Sequence, residues 1–167
     1  MSGRIDVDRT LAPVVMSARL LNALCVHARE THPEECCGLL TGRAAGSFEI
    51  AHRCRNEMTR LHRRDPRAHT RDGKTAFHMN EGDVLRVAEE AEAKRWLVTG
   101  VYHSHADAGP YFSELDQEFA RQPGFPFPLA QHVVISLLDG MVGEAAVFRR
   151  IEELPGFEGR MLIGGAP

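Results

Sequence analysis

The stretch LVTGVYHSHADAGPYFSELD, residues 97–116, decides the fold. Residues 97–103 have the apolar character of a buried strand. A loop with Gly109 and Pro110 follows, and Ser113 is a residue type that favours the cap of a helix, which we expect to end near residue 121. One short segment thus predicts a strand, a turn and a helix, which indicates an α/β protein.

The same segment contains a candidate metal site. His103 and His105 are two residues apart, so on a strand both imidazoles point to the same side. Asp116 would lie in the first turn of the following helix, from which its carboxylate can approach them. Two imidazoles and one carboxylate suit zinc and leave a fourth tetrahedral position open, as in catalytic zinc sites. We therefore predict one Zn²⁺ per chain, held by His103, His105 and Asp116.

A hydrolytic zinc site also needs a base that moves protons to a leaving group. Glu34 and Glu35 stand together before a predicted strand, and the sequence pattern does not choose between them. A purely structural interpretation competes with this one. The chain has nine histidines, so an HxH can arise by chance, and Ser113 with Asp116 also matches a helix-capping pattern.

The rest of the chain supplies further helices and strands. Apolar residues at helical spacing, capping residues and the hairpin signal Asp139-Gly140 mark their positions. They predict a helix over 17–30 capped by Ser17, strands 36–41 and 47–54, a helix beginning after Asn80, and strands 132–138 and 141–149. Residues 55–74 show no periodicity and are predicted to be a long loop.

These elements predict a single domain over residues 1–167. Helices and strands do not alternate strictly, which favours an α/β fold with a single mixed β-sheet packed by helices. The core is expected to span about residues 15–152. Residues 153–167 are rich in Gly and Pro and are predicted to be a loosely ordered tail.

Composition narrows the possible partners. The chain is 43% hydrophobic and 26% charged, which argues against disorder. Its net charge of -3 argues against binding to nucleic acid or to an acidic membrane surface by the domain as a whole. Residues 53–74 are locally basic and form either a solvated loop or a surface for an acidic partner. No apolar run suggests a signal peptide or membrane span, so a cytoplasmic protein is expected. The four cysteines are predicted to be reduced, buried thiols.

Two motifs carry a resemblance to a known family. His103-Ser104-His105, seven residues, Ser113, two residues and Asp116 resemble the JAMM motif of the MPN-plus metalloproteases, and residues 35–40, ECCGLL, resemble their upstream glutamate segment. The similarity covers roughly residues 30–140. It implies an MPN (JAMM) domain with a layered architecture like that of cytidine deaminase.

The resemblance also implies roles for individual residues. His103, His105 and Asp116 would ligate zinc, Glu35 rather than Glu34 would be the base, and Ser113 would stabilise the oxyanion. Ser104 alternates to the other face of the strand and is assigned to packing. Bacterial relatives usually have proline where this chain has Ala106, so the loop after it is expected to be somewhat freer with the metal geometry preserved.

The family hydrolyses peptide or isopeptide bonds at the C-terminal tail of ubiquitin or ubiquitin-like proteins. The implied substrate is a ubiquitin-like protein, in bacteria a sulfur-carrier protein, whose extended tail would add to the sheet beside the zinc. The alternative is a non-catalytic MPN-type scaffold that retains zinc. A small-molecule zinc deaminase is disfavoured because the HxE and PCxxC arrangement is absent.

Overall fold

The computed structural model describes residues 3–166. Seven strands form one mixed sheet in the order β1-β7-β6-β5-β4-β2-β3, in which β1 with β7 and β4 with β5 run parallel. The elements in chain order are β1 (Val14–Ser17), α1 (Ala18–Thr31), β2 (Cys37–Gly42), β3 (Ile50–Cys54), α2 (Met58–Arg64), α3 (Glu81–Lys94), β4 (Leu97–His105), α4 (Glu114–Arg121), β5 (Gln131–Leu138), β6 (Met141–Arg150) and β7 (Phe157–Gly165). The predicted fold class, a single mixed sheet packed by helices, is confirmed.

Side chains of the central strands alternate between the two faces of the sheet. Leu40 and Tyr102 belong to a core cluster with Leu24 of α1. Their neighbours Leu39 and Val101 belong to a second cluster, on the side that α3 covers. A third cluster packs α4 and the loop before it against β5 and β6. The molecule therefore has three layers, with the sheet between α1 and the other helices.

The longer helices begin where their capping residues predict. The Ser17 hydroxyl accepts a hydrogen bond from the Leu20 N–H at 3.1 Å, and the Asn80 side chain accepts one from the Asp83 N–H at 3.0 Å. Each bond satisfies a backbone donor that has no partner inside the helix. Within residues 3–166, no helix combines the length and the apolar character needed to cross a membrane.

The prediction of a loosely ordered tail over residues 153–167 is wrong. Residues 157–165 form β7, which pairs with β6 on one side and with β1 on the other. Phe157 and Leu162 are buried in the core. Gly159 permits close packing, because a Cβ there would lie 2.5 Å from the ring of Phe148. The glycines of this segment thus allow close contact within a sheet.

The segment 55–74 is also more ordered than predicted, because it contains α2. Leu61 is the only buried residue of this seven-residue helix, so no apolar stripe signals it in the sequence. Strand β1 was not predicted either. It has four residues at the edge of the sheet, and its pairing with β7 spans almost the whole chain.

The four cysteines are free thiols in the structure, as predicted. Cys36, Cys37 and Cys54 are buried, and Cys25 is half-buried. Burial raises the pKa of the Cys36 thiol to about 12 and that of Cys54 to about 11. These thiols therefore stay protonated and act as small apolar groups in the core.

Candidate active site

Strand β4 carries two of the predicted ligands to its C-terminal end. His103 and His105 follow Val101 at alternate positions, and both rings are buried, with 1% and 6% of their surface exposed. Since strand residues alternate, both imidazoles lie on the face that carries α3 and α4. Ser104 lies on the opposite face, as predicted.

Asp116 approaches the histidines from the first turn of α4. The Ser113 hydroxyl accepts a hydrogen bond from the Asp116 N–H at 3.1 Å, and the Asp116 carboxylate accepts one from the Ser113 N–H at 2.9 Å. This reciprocal pair is a capping box. The structural interpretation of Ser113 and Asp116 is thus correct, and the same bonds fix the carboxylate where it faces the histidines.

Three donor atoms converge at this point. The two Nε2 atoms of His103 and His105 are 3.2 Å apart, and the carboxylate oxygens of Asp116 lie 3.3 Å and 3.6 Å from them. Donors bound tetrahedrally to zinc, about 2.0–2.1 Å from the ion, lie about 3.3 Å from one another. Within residues 3–166, these three residues are the group of histidine, cysteine and carboxylate side chains able to hold an ion. The observed separations therefore fit a zinc ion.

Neighbouring groups hold the imidazoles in orientations suited to a metal. The Nδ1 atom of His105 lies 2.9 Å from the Gly109 carbonyl, which can only accept, so Nδ1 carries the proton and Nε2 is free as a ligand. Phe77 stacks on the ring of His103 with 4.6 Å between the centroids. Hydrogen bonding and stacking together fix both rings.

The loop after His105 keeps this geometry without a proline at Ala106. The Ser136 hydroxyl donates to the Ala108 carbonyl at 2.6 Å, and the Asp139 N–H donates to the Asp107 carboxylate at 3.0 Å. Both bonds attach the loop to the end of β5. The three donor atoms therefore converge with alanine at this position, whereas an intact metal geometry and a freer loop stay predictions.

Glu35 and Glu34 differ sharply in their surroundings. Glu35 lines the same cavity as His105, Ser113 and Asp116 and is buried, with 6% of its surface exposed. The Glu34 carboxylate instead accepts a hydrogen bond from the Thr59 hydroxyl, outside that cavity lining. The structure thus directs Glu35, and not Glu34, toward the donor set.

The two buried carboxyl groups of the cavity have opposite pKa shifts. Burial, and after it the negative charge of Asp116, raise the pKa of Glu35 to about 9 against an opposing effect of Arg71. Burial would also raise the pKa of Asp116, but the charge of His103 and hydrogen bonds from His103, His105 and Ser113 outweigh burial and lower it. Without a bound cation, the surroundings thus favour the protonated form of Glu35 and the ionised form of Asp116, and such a divergence of two pKa values is typical of acid–base sites.

The cavity at the site is small, about 170 Å³. A larger surface cavity of about 980 Å³ lies around Arg121 and Leu154 and contains none of the predicted site residues. We place the site at the smaller cavity because the titratable groups and donor atoms converge there.

The sheet topology limits where a carrier tail could add beside the zinc, and that addition stays a prediction. Strand β4 is already paired on both sides, with β2 and β5. The free edges belong to β1 and β3, so an extended chain cannot pair with β4 itself. The irregular segment 71–76 supplies four of the residues that line the cavity.

Sequence reasoning missed the residues that hold Glu35. The Cys36 N–H donates to the Ser104 hydroxyl at 2.8 Å, and the Asn56 amide donates to the carbonyls of Glu35 and Ala76 at 3.0 Å and 3.1 Å. These contacts join residues far apart in the chain, so no local pattern could reveal them. Ser104 therefore does more than pack, because it fixes the residue next to Glu35.

With the geometry established, comparison with known proteins identifies the family. The family of prokaryotic homologs of the JAB domain matches residues 17–151. This chain belongs to that family. The resemblance to JAMM proteins is thereby confirmed. Strand β7 lies outside the residues that match the family.

Individual relatives and solved structures agree with this assignment. Proteins named CysO-cysteine peptidase from Mycobacterium bovis and Mycobacterium tuberculosis are 27% identical over 143 residues, which is 86% of this chain and 86% of theirs. A desampylase from Haloferax volcanii is 27% identical over 123 residues, 71% of this chain and 80% of that protein. The solution structure of a Desulfitobacterium hafniense protein has the same fold, with a TM-score of 0.64 and 21% identity. The match covers 92% of this chain and 93% of that protein. The solution structure of a Salinibacter ruber protein matches with a TM-score of 0.58 and 25% identity, over 92% of each chain.

Proposed function

We propose that this JAB-domain protein is a zinc-dependent peptidase that hydrolyses a peptide or isopeptide bond at the C-terminal tail of a ubiquitin-like protein. In bacteria the expected substrate is a sulfur-carrier protein. The observation that carries the proposal is that buried Glu35 lines one cavity with the donor set of His105 and Asp116. The names of the mycobacterial relatives and of the desampylase support peptidase activity on such substrates.

His103, His105 and Asp116 would hold the ion through two Nε2 atoms and a carboxylate oxygen. When bound, zinc supplies a Lewis acid that polarises the scissile carbonyl and makes a water acidic near neutral pH. Glu35 accepts a proton from the attacking water and returns it to the leaving amine. The positive charge of a bound ion would lower the pKa of Glu35, so that its carboxylate can accept this proton. Its burial opposes that effect and favours the second step, in which the protonated carboxyl group must donate.

Ser113 would meet the negative charge that develops on the carbonyl oxygen. Its hydroxyl oxygen already accepts the Asp116 N–H, which fixes the oxygen in place at the start of α4. A hydroxyl that accepts in this way still has its own proton to donate. A fixed donor aimed at a developing oxyanion stabilises the transition state more than the ground state.

The test is incubation of the zinc-loaded protein with sulfur-carrier proteins that bear short C-terminal extensions, followed by intact mass measurement. We expect loss of the extension, and we expect Glu35→Gln to bind zinc and to cleave at least about 100-fold more slowly, the usual contribution of a general base. Glu34→Gln is the matched control, because the amide oxygen it introduces can still accept the Thr59 hydrogen bond, and it should keep most of the activity.

Two outcomes would contradict the proposal. Full activity in Glu35→Gln would exclude Glu35 as the base. Zinc binding without cleavage of any carrier tail would favour the non-catalytic scaffold.

A further inference from the structure

The cavity of the proposed peptidase site has a positively charged wall that the hydrolytic reaction described above does not use. Arg71 and Lys74 line it together with Glu35 and Asp116. Both cations come from segment 71–76, between α2 and α3. The whole chain has a net charge of -3, so two cations beside a reactive centre are a local feature that calls for a local explanation.

Segment 71–76 is attached directly to the catalytic side of the cavity. The Glu35 N–H donates to the Gly73 carbonyl at 2.7 Å, and the Gly73 N–H donates to the Thr59 hydroxyl at 2.9 Å. Gly73 is buried, and a Cβ there would lie 2.8 Å from the Thr59 Oγ1, so a side chain at this position would displace Thr59. Arg71 and Lys74 therefore flank an anchor point fixed against Glu35.

Some basic residues of this part of the chain are neutralised by carboxylates, and others are not. Among the described residues without an ion pair in the basic stretch, Arg71 and Lys74 are the ones that line the cavity. Arg53, Arg55 and Arg60 each form an ion pair with a carboxylate within 3.0 Å. Within residues 3–166, neither Arg71 nor Lys74 forms an ion pair within 4.0 Å. Two unneutralised cations remain available for an anionic group that enters the cavity.

The size of the cavity limits what that group can be. Its volume of about 170 Å³ is below the range of about 300–1,000 Å³ that is typical of pockets for larger ligands. A single amino acid beyond the scissile bond carries its carboxylate only two bonds from the leaving nitrogen. The side chain of an isopeptide-linked lysine has no anionic group near that nitrogen. The paired cations favour the first kind of leaving group.

We propose that Arg71 and Lys74 form a carboxylate-binding subsite that selects substrates whose leaving group is a C-terminal amino acid with a free α-carboxylate. This inference rests on the proposed function and specifies its substrate. The cations offset the repulsion that Glu35 and Asp116 would exert on an entering carboxylate. Arginine and lysine are the side chains that bind carboxylates through charge-assisted hydrogen bonds.

The test compares two forms of one substrate. A sulfur-carrier protein is extended by a single cysteine that ends in either a free carboxylate or a carboxamide. The wild-type protein should cleave the acid with a kcat/KM about tenfold or more above that of the amide, the range expected of a hydrogen bond to a charged group. The difference should lie mainly in KM, because the carboxylate is bound equally in the ground and transition states.

Variants assign the preference to the subsite. Lys74→Gln should lower kcat/KM for the acid and leave the amide within about twofold. Arg71→Gln also removes a charge that acts on Glu35, so it should lower kcat/KM for both forms, and more for the acid than for the amide. The double variant should remove the preference. Continued cleavage of the amide shows that each variant is folded. Arg67→Gln is the matched control, since it removes an exposed cation of the same basic stretch that does not line the cavity. It should change neither rate.

The outcomes separate this inference from the proposed function. Equal cleavage of acid and amide by the wild-type protein overturns the subsite and leaves the peptidase intact. Equal loss of both activities in Arg71→Gln and Lys74→Gln also overturns it, because the cations would then act on the body of the carrier. Cleavage of neither form overturns the peptidase and the subsite together.

Discussion

Ser104 connects the metal ligands to the proposed base. It lies between His103 and His105 on β4, with no exposed surface, and its hydroxyl oxygen accepts the Cys36 N–H at 2.8 Å. Its own N–H donates to the Cys36 carbonyl at 3.1 Å. The residue after Glu35 is thus hydrogen-bonded through both its N–H and its carbonyl to the residue between the two histidines, so Ser104 contributes directly to the spacing between the proposed base and the candidate ligands.

We therefore predict that Ser104→Ala weakens both the fold and catalysis. The buried Cys36 N–H would lose its acceptor, which costs about 1–3 kcal/mol of unfolding free energy. Glu35 would be held less firmly, so kcat should fall while zinc binding persists. Urea denaturation and steady-state kinetics measure the two effects.

Thr99→Val is the control for Ser104→Ala. It removes a buried hydroxyl from the same strand, but that hydroxyl makes only a 3.4 Å bond to the Leu40 carbonyl, away from Glu35. It should leave kcat unchanged. If Ser104→Ala also left kcat and the unfolding free energy unchanged, Ser104 would have only a packing role.

At the scale of a structural element, the sequence of β7 does not indicate that it forms a strand. Its glycines suggest a turn or a tail, but Gly159 lies under the ring of Phe148 and Gly165 lies against Val15. Phe148 is the partner of Gly159 on the neighbouring strand β6, but Val15 is far from Gly165 in the sequence, as the parallel pairing of β1 with β7 requires. A pattern that is local in the chain cannot display them.

Features set by neighbouring residues were predictable. The caps Ser17 and Asn80 act within three residues, and the HxH pattern with Ser113 and Asp116 combines strand alternation with a helix start. The choice of Glu35 over Glu34 came from resemblance, and its physical basis is visible only in the fold, where Thr59 binds Glu34. The ligand set was therefore predictable from sequence, whereas the walls of the cavity were not.

The two faces of β7 allow a direct test of its contribution to the core. Leu162 is 3% exposed, and the next residue, Ile163, is 43% exposed. Leu162→Ala should lower the unfolding free energy by about 2–5 kcal/mol, the cost of a buried leucine truncation. Ile163→Ala should change it by about 0.5 kcal/mol or less.

Chemical denaturation of both β7 variants, followed by circular dichroism, provides the comparison. Similar small effects would indicate that residues 157–165 are a dispensable tail. A large loss confined to Leu162→Ala would establish β7 as part of the cooperative unit, although it lies beyond the family match that ends at residue 151.

At the scale of the whole molecule, the site joins elements that are distant in sequence. The donor set comes from β4 and α4, and Glu35 precedes β2. An ion bound by His103, His105 and Asp116 would therefore stabilise the folded state, because the unfolded chain does not keep these donors together. The gain is about 4 kcal/mol when free zinc is about 1,000 times its dissociation constant.

We predict that zinc raises the thermal unfolding temperature of the wild-type protein and that Asp116→Ala loses most of this increase. Because Asp116 also caps α4, the alanine variant should be less stable even without metal, by about 1 kcal/mol. The relevant quantity is thus the difference between zinc-loaded and chelated protein for each variant. Asp116→Asn keeps an acceptor for the Ser113 N–H but removes the negative charge, so it distinguishes loss of the helix cap from loss of the charged ligand. Glu118→Ala removes an exposed carboxylate from the same helix and should keep the full zinc effect. An equal zinc-induced shift in wild type and in both Asp116 variants would show that the ion binds elsewhere.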